Sequence, residues 1–341
     1  MEYKLLSLPK KSVINIGDYV QALASSQFLP SINGFIDRED LCNYNGELCK
    51  VIMNGWFMHN PLKWPPSKNI IPLFVAFHLN TSAVKGMLSE EGIKYLKEYE
   101  PIGCRDYYTR DLLIQHGIEA YFSGCMTLTL GLKYHNKNKD GKCYFVDPTI
   151  IIPRNPFNLF GNLVFLFAHY QDVKKITKKL YKSLQLKRLI RVSGFLKTYM
   201  KVFTKDTIVN AEYISQESSK YADEFANDTE RLQEAERLIK KYSTASLVVT
   251  SRIHCALPCL GLETPVIYTA KETDDYISTC RFGGLIDLFN VVYIGESTAR
   301  ADFKLDQHIT VDNTIVNKQE WRSLADKLAL KCKTFIYPNE Q

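Results

Sequence analysis

The stretch VTSRIHCALPCLGLETPVIY, residues 249–268, decides the fold. The apolar, β-branched run SLVVTS (246–251) stops, RIHCALPCLGL reads as a helix, and PVIYT (265–269) returns to strand formers. A strand, a helix and a second strand joined this tightly form a βαβ unit, whose strands lie parallel. Arg252 and His254 fall two positions apart where the first strand gives way to the helix. In an open parallel sheet, that carboxyl edge is where ligands bind.

Read outward, the chain repeats this alternation. YKLLSL (3–8), KVIMNGW (50–56) and PLFVAFHL (72–79) read as strands, EEGIKYLKEYE (90–100) as a helix, and IGC (102–104) as a brief strand. Asp106 then caps a helix, YYTRDLLIQH, that Gly117 stops, and EAYFSG (119–124) is strand again. CYFVDP (143–148) opens a second series, which a basic segment interrupts and the strand stretch TIVNAEYIS (207–215) resumes. The helix TERLQEAERLIKKY (229–242), the opening stretch, RFGGLIDLF and VVYIG follow, and KQEWRSLADKLALKCKTF (318–335) forms a last helix. Continuous rather than alternating apolar strands indicate parallel sheets buried on both faces. The expected fold is α/β, with two open Rossmann-like domains facing a cleft. The boundaries are 1–140 for the first domain and 141–317 for the second, with a basic helical insertion at about 155–205. Residues 318–341 form a terminal helix that can pack across both halves.

The bulk properties fit this scheme. A chain of 341 residues, 45% hydrophobic and 12% aromatic, has material for two conventional cores. The start, MEYKLLSLPKKS, lacks a secretory h-region, and no run of about 18 apolar residues occurs. Nine scattered cysteines with no CxxC spacing read as reduced cytosolic thiols. Cys255 and Cys259 stand one helical turn apart, but without a second pair they read as small core residues rather than zinc ligands.

The net charge of +6 is local. Residues 173–205 hold eleven Lys/Arg and no acid, which leaves 32 basic against 37 acidic residues elsewhere. Within that segment Ile176, Leu180 and Leu184 recur at helical spacing, and NLVFLFA (162–168) lies just upstream. A basic amphipathic helix beside an apolar stretch fits a surface resting on anionic lipid; a solvated helical hairpin is the plainer alternative. No aromatic platform accompanies the charge, so nucleic acid is not an expected partner. The expected location is cytoplasmic, peripheral at the inner face of the cytoplasmic membrane.

Several residues could carry chemistry. Backbone N–H groups at the start of the 252–261 helix attract anions, and beside Ser251 the Arg252 guanidinium adds a fork suited to carboxylate or phosphate. His254, in the first turn, can give or take a proton from a docked anion. A purely structural pair, with Arg252 on a neighbouring acid and His254 on a carbonyl, is equally compatible with the spacing. Lys271 ends the next strand and would add a cation to the same mouth, or would pair with Asp274 or Asp275. Arg281, opening the following helix, is a weaker candidate. In the other half, Arg105 stands at a strand end before a helix, and His78 ends its strand either toward the cleft or into the core. NIGDYVQAL (15–23) supplies Asn15, the turn glycine Gly17 and Asp18 as helix N-cap in the first βα loop, without the GxGxxG spacing of a dinucleotide site. No metal constellation is evident.

Taken in order, these motifs resemble the polysaccharide pyruvyl transferase family. N-I-G-D at 15–18, G-C-R-D-Y-Y-T at 103–109 followed by a helix and G-I, and T-S-R-I-H at 250–254 before G-L-E-T-P-V-I carry the resemblance over most of the chain. The T-S-R-x-H element is the most specific. The position after the histidine is commonly glycine in the family and here is Cys255. The resemblance implies a GT-B-like pair of Rossmann domains and transfer of the enolpyruvyl unit of phosphoenolpyruvate onto a sugar as a cyclic ketal, with phosphate released. It implies functional roles for Arg252, His254, Arg105 and Lys271, no cofactor beyond the phosphoenolpyruvate donor, and a lipid-linked oligosaccharide precursor as acceptor. Two other readings stay open on the residues alone. A sugar-nucleotide glycosyltransferase would share the architecture and need a ribose-binding carboxylate, for which Glu272 is the candidate; a non-catalytic membrane-docking module would need none of these side chains.

Overall fold

A computed structural model describes residues 1–8, 13–181, 183–273 and 280–338. The first half contains β1 (Glu2–Ser7), β2 (Ile14–Asn15), α1 (Ile16–Ser26), β3 (Phe35–Asp37), β4 (Cys49–Phe57), β5 (Ile70–Leu79), α2 (Val84–Met87), α3 (Glu90–Lys97), β6 (Ile102–Cys104), α4 (Tyr107–Gln115), β7 (Ala120–Phe122) and α5 (Gly131–Tyr134). The second contains β8 (Cys143–Val146), α6 (Pro156–Ala168), α7 (Tyr170–Leu180), α8 (Leu186–Tyr199), α9 (Lys205–Asn210), β9 (Glu212–Ile214), β10 (Glu217–Ser218), α10 (Lys220–Asp223) and α11 (Asp228–Thr244). It continues with β11 (Leu247–Thr250), α12 (Ile253–Gly261), β12 (Val266–Lys271), β13 (Asn290–Ile294), β14 (Ala299–Ala301) and α13 (Trp321–Ile336).

Two six-stranded sheets result, in the orders β3-β1-β4-β5-β6-β7 and β14-β13-β12-β11-β8-β9. All their pairings are parallel except β13 with β14. The apolar runs arise because each strand is covered on both faces. In β11, Val248 points into one cluster while Leu247 and Val249 point into another; Tyr144 and Val146 of β8 alternate with Cys143 and Phe145 in the same way. The first of these clusters also takes Ile16, Tyr19, Val20 and Leu23 of α1, and Ile52 and Val75 of the first sheet, so the two sheets share one buried layer.

Two glycines set how closely the halves approach. A Cβ on Gly261 would sit 2.2 Å from the Leu128 carbonyl oxygen, and one on Gly131 would sit 1.9 Å from the Gly261 oxygen. Backbone therefore meets backbone where α12 crosses residues 126–131, and neither position has room for a side chain. α13 packs against the first sheet, where Lys50 Nζ donates to the Phe335 carbonyl at 2.6 Å.

Three local expectations are corrected. The strand expected over 207–215 begins as helix: Thr204 caps α9, its Oγ1 accepting from Thr207 N, and only Glu212–Ile214 pairs with β8. Capping by Thr204, with Asp206 in the first turn, outweighs the β-branched residues Thr207, Ile208 and Val209. Arg281 opens no α-helix but sits in a 3-10 turn, Cys280–Phe282. In the basic segment, Val173 and Ile176 of α7 are fully buried in the cluster behind the second sheet, so the apolar stripe of that helix faces the core. Each of the nine cysteines carries a thiol, eight of them buried. Among the described residues no helix is long and apolar enough to cross a membrane.

Candidate active site

An open cavity of about 410 Å³ lies where the carboxyl ends of both sheets meet, lined from both halves. On the side of the second sheet, Thr250 closes β11, its hydroxyl donating to the Val146 carbonyl (2.8 Å) and accepting from Arg252 N (2.9 Å). Arg252 is the N-cap residue of α12, which puts His254 in the first turn with its ring buried. Asp147, directly after β8, has a left-handed backbone (φ 41°) that returns its carboxylate to this edge. Its Oδ2 accepts from Gln216 N at 2.8 Å and from Arg252 Nε at 3.0 Å, while its carbonyl accepts from Ser251 Oγ at 2.6 Å. The Arg252 guanidinium is also 2.8 Å from Glu217 Oε2.

The first half supplies the opposite wall. Asn15 caps α1 by accepting from Gly17 N (3.0 Å), and Ile16 N donates to the Gln216 carbonyl (2.8 Å). A two-residue antiparallel ladder between β2 and β10 pairs Asn15 with Glu217, so the two halves are stitched together beside the cavity. Arg38, just past β3, is almost fully buried, with its guanidinium 5.4 Å from the Trp56 ring centroid and 3.7 Å from Asp18 Oδ1. Arg105, after β6, is only 2% exposed; its N–H donates to the Phe77 carbonyl, and Nε stands 3.8 Å from Asp106 Oδ2. Asp106 caps α4, accepting from Thr109 N at 2.9 Å, and its other oxygen is 2.6 Å from His78 Nδ1. Arg281 completes the rim, its guanidinium over the Phe282 ring at 4.8 Å.

Four guanidiniums thus line the cavity, against the carboxylates of Asp18 and Glu217. Their field, together with burial, sets the state of His254. Burial first, then Arg105, Arg281, Arg252 and Arg38, hold its pKa well below the usual histidine value, so the imidazole is neutral at neutral pH. Its Nε2 is buried and has no hydrogen-bond partner among the described residues. A neutral imidazole with one unpartnered nitrogen, ringed by cations, is suited to an anionic ligand that also exchanges a proton.

Of the residues singled out from sequence, Asn15, Asp18, Arg105, Ser251, Arg252, His254 and Arg281 line this cavity. Asp18 is not the N-cap as expected; Asn15 is, because its side chain reaches Gly17 N, and Asp18 sits in the first turn of α1. Gly17 lies behind the wall rather than in a turn. A Cβ there would stand 3.0 Å from His254 Cβ and 3.2 Å from its Nδ1, so the missing side chain is what lets the imidazole seat against α1. His78 is a core histidine, buried beside Asp106, which flanks Arg105. Its pKa is lowered, by burial first and Arg105 next.

Lys271 is not among the residues that line this cavity. β11 ends its pairing at Thr250 opposite Tyr268, while β12 runs on beside β13 as far as Lys271 opposite Ile294. Three further strand residues carry the lysine about 10 Å past the edge, and it is exposed there. Asp274 and Asp275, its alternative partners, lie outside the described residues. Glu272 is likewise outside the cavity lining, with Oε2 accepting from Thr298 Oγ1 at 3.0 Å.

Sequence reasoning missed Arg38, Trp56, His59, Asp147, Gln216 and Glu217. Arg38 carries the same signal as Arg105, an arginine directly after a strand, but its strand Phe35–Asp37 is too short to stand out. Gln216 and Glu217 arrive through the β2–β10 ladder, which no local pattern announces. Among the described residues no group of three or more His, Cys, Asp or Glu side chains is arranged to hold a metal ion.

A family model described as polysaccharide pyruvyl transferase matches residues 15–270, from the α1 cap to the penultimate residue of β12. No curated protein and no solved structure matches the chain.

Proposed function

The chain belongs to the polysaccharide pyruvyl transferase family, and on that premise we propose that it moves pyruvate from phosphoenolpyruvate onto two hydroxyls of one sugar in a cell-surface polysaccharide precursor. The products are a cyclic ketal and inorganic phosphate. The observation that carries this reading is the convergence of four arginines on a neutral, buried histidine whose Nε2 is unpartnered. Phosphoenolpyruvate bears a carboxylate and a phosphate, so it needs several cations held at fixed angles, which guanidiniums provide.

Arg252, at the head of α12, and Arg105, across the cavity, bind the donor anions, with Arg281 and Arg38 adding to the field. Once the donor is bound, His254 gains a proton and delivers it to the methylene carbon, turning CH2 into CH3. The electron pair of the double bond forms the new C–H bond and leaves an oxocarbenium-like carbon. One sugar hydroxyl attacks that carbon, and His254 takes up the hydroxyl's proton. Phosphate then departs with its C–O bonding pair, stabilised by the arginines as its charge grows, and the second hydroxyl closes the ketal and passes its own proton to that phosphate. The Trp56 and His59 rings, 4.5 Å apart and inclined at 56° to each other at the cavity wall, offer aromatic surface for the acceptor sugar.

In this reading the two halves act as GT-B-like Rossmann domains meeting at the donor site. The acceptor is lipid-linked, and the protein rests peripherally on the inner face of the cytoplasmic membrane through its basic segment. The test is phosphate release from phosphoenolpyruvate in the presence of lipid-linked galactose- or mannosamine-containing oligosaccharides. Release that depends on the acceptor and is lost in His254→Ala with folding intact is expected. A His254→Ala enzyme that still turns over, or release of a nucleotide from a sugar nucleotide instead, refutes it.

A further inference from the structure

The outer surface of α6 carries more apolar area than a solvated helix tolerates. Phe157, Phe160, Val164 and Phe167 are 86%, 67%, 54% and 83% exposed, and their spacing puts all four on one face. The opposite face holds Asn162 and Leu166 and seats on α8, where Ser193 Oγ donates to the Asn162 carbonyl at 2.6 Å and Gly194 lets the helices approach. The helix is therefore fixed in orientation, with three phenylalanines aimed at solvent.

We propose that this face of α6 is the membrane-seating element, its four apolar side chains entering the interface of an anionic bilayer. The inference deepens the peripheral location proposed above and rests on it, but it is independent of the pyruvyl chemistry. It also narrows the contact: of the two parts the sequence suggested, the stripe of α7 is buried, and the apolar stretch in α6 is the one that remains exposed. Charge selects the occupant. Residues 151–205 contain twelve Lys/Arg and a single acid, Asp172, which is 3.2 Å from Lys205. Lys197 Nζ lies over Gly161 at the margin of the apolar face, and Lys174 stands over the Tyr170 ring at the end of the helix. A second copy of the chain docking through the same patch would oppose these cations to themselves, whereas anionic headgroups neutralise them. An aromatic face with a cationic border is the composition of helices that lie in the headgroup layer.

The experiment is flotation of the full chain with vesicles of phosphatidylcholine, with and without phosphatidylglycerol. Wild type is expected to bind the phosphatidylglycerol vesicles, and raising the salt is expected to weaken but not abolish binding. Replacing Phe157, Phe160, Val164 and Phe167 together by serine is expected to weaken partitioning by about a hundredfold or more. Thermal melting and phosphate release on a detergent-dispersed acceptor should be unchanged in that variant. Phe160→Trp, which alters no packing, is expected to shift its emission to the blue on vesicles and to be quenched by brominated lipid. The proposal is overturned if wild type ignores phosphatidylglycerol vesicles, if the serine variant floats as well as wild type, or if Phe160→Trp emission does not respond. It is also overturned if the serine variant merely dissolves a dimer. Lost phosphate release with vesicle binding retained would count against the catalytic reading alone.

Discussion

Donor binding should draw a proton onto His254, and the structure sets the size of the effect. Burial and the guanidiniums of Arg105, Arg281, Arg252 and Arg38 keep the imidazole neutral. A donor phosphate among those arginines reverses the local field. A unit charge about 4 Å from the ring, at an effective dielectric of about 20, is worth roughly 4 kcal/mol, or about a thousandfold in proton affinity. Below the proton affinity of the bound state, each phosphoenolpyruvate should therefore bring up to one proton with it. Over that range the dissociation constant should rise by up to about tenfold per pH unit, because the protonated form is the one that binds. The measurement is calorimetric titration at pH values where the donor phosphate is already a dianion, in buffers of different ionisation enthalpy. The slope against buffer enthalpy counts protons taken up. His254→Gln should still bind donor through the arginines but take up none. Zero uptake by the wild type, or equal uptake by the glutamine variant, refutes the assignment of His254 as the proton carrier.

Three further outcomes are expected. Gly17→Ala gains helix propensity but forces His254 to give by a few tenths of an ångström, so melting should change little while turnover drops several-fold, read by phosphate release. Gly261→Ala has no such tolerance, because its Cβ would meet backbone, and denaturant titration should show a loss of about 3 kcal/mol or more. Because His78 and His254 both have lowered pKa values, the unfolded chain binds protons that the folded chain refuses as pH falls below the ordinary histidine value of 6.5. Stability is then fully present above that value and declines on acidification, by up to about 1.4 kcal/mol per pH unit for each histidine, and His254→Gln should flatten part of that slope.

The parts of the fold that were legible in sequence are those where one local rule governs. β11, α12 and β12 announce themselves by a strand-length apolar run, a charged helix start and a second β-branched run. Asp106 capped α4 as expected because its helix follows at once and Gly117, with φ 70°, ends it. Where two rules compete, the sequence misled. Thr207–Val209 favour a strand by side-chain shape but lie behind a Thr204 cap, and the cap prevails. Asn15 and Asp18 are both good capping residues, and only the backbone geometry chooses between them. In the site, Arg105, Arg252 and His254 were readable because each stands at the end of a recognisable strand. Lys271 also stands at the end of a strand but lies outside the cavity lining, and the overhang of β12 beyond β11 that carries it there depends on which strand is its neighbour. Part of α6, NLVFLFA (162–168), stood out in sequence as an apolar stretch beside basic residues, but which of its side chains face outward depends on its packing against α8.

Arg252 is not waiting empty-handed. It already holds Asp147 and Glu217, the latter at 2.8 Å from a partly exposed side chain. In the proposed reaction the donor phosphate would therefore have to displace a resident carboxylate from this arginine. Asp147 is fixed by Gln216 N, whereas the Glu217 side chain is more exposed, so Glu217 would be the one to give way and, on return, would compete with product phosphate for the arginine. Glu217 also belongs to the ladder that carries Asn15, the cap of α1, and the next residue but one, Gly17, packs against the imidazole, so this place-holder is built into the same wall as the proposed proton carrier.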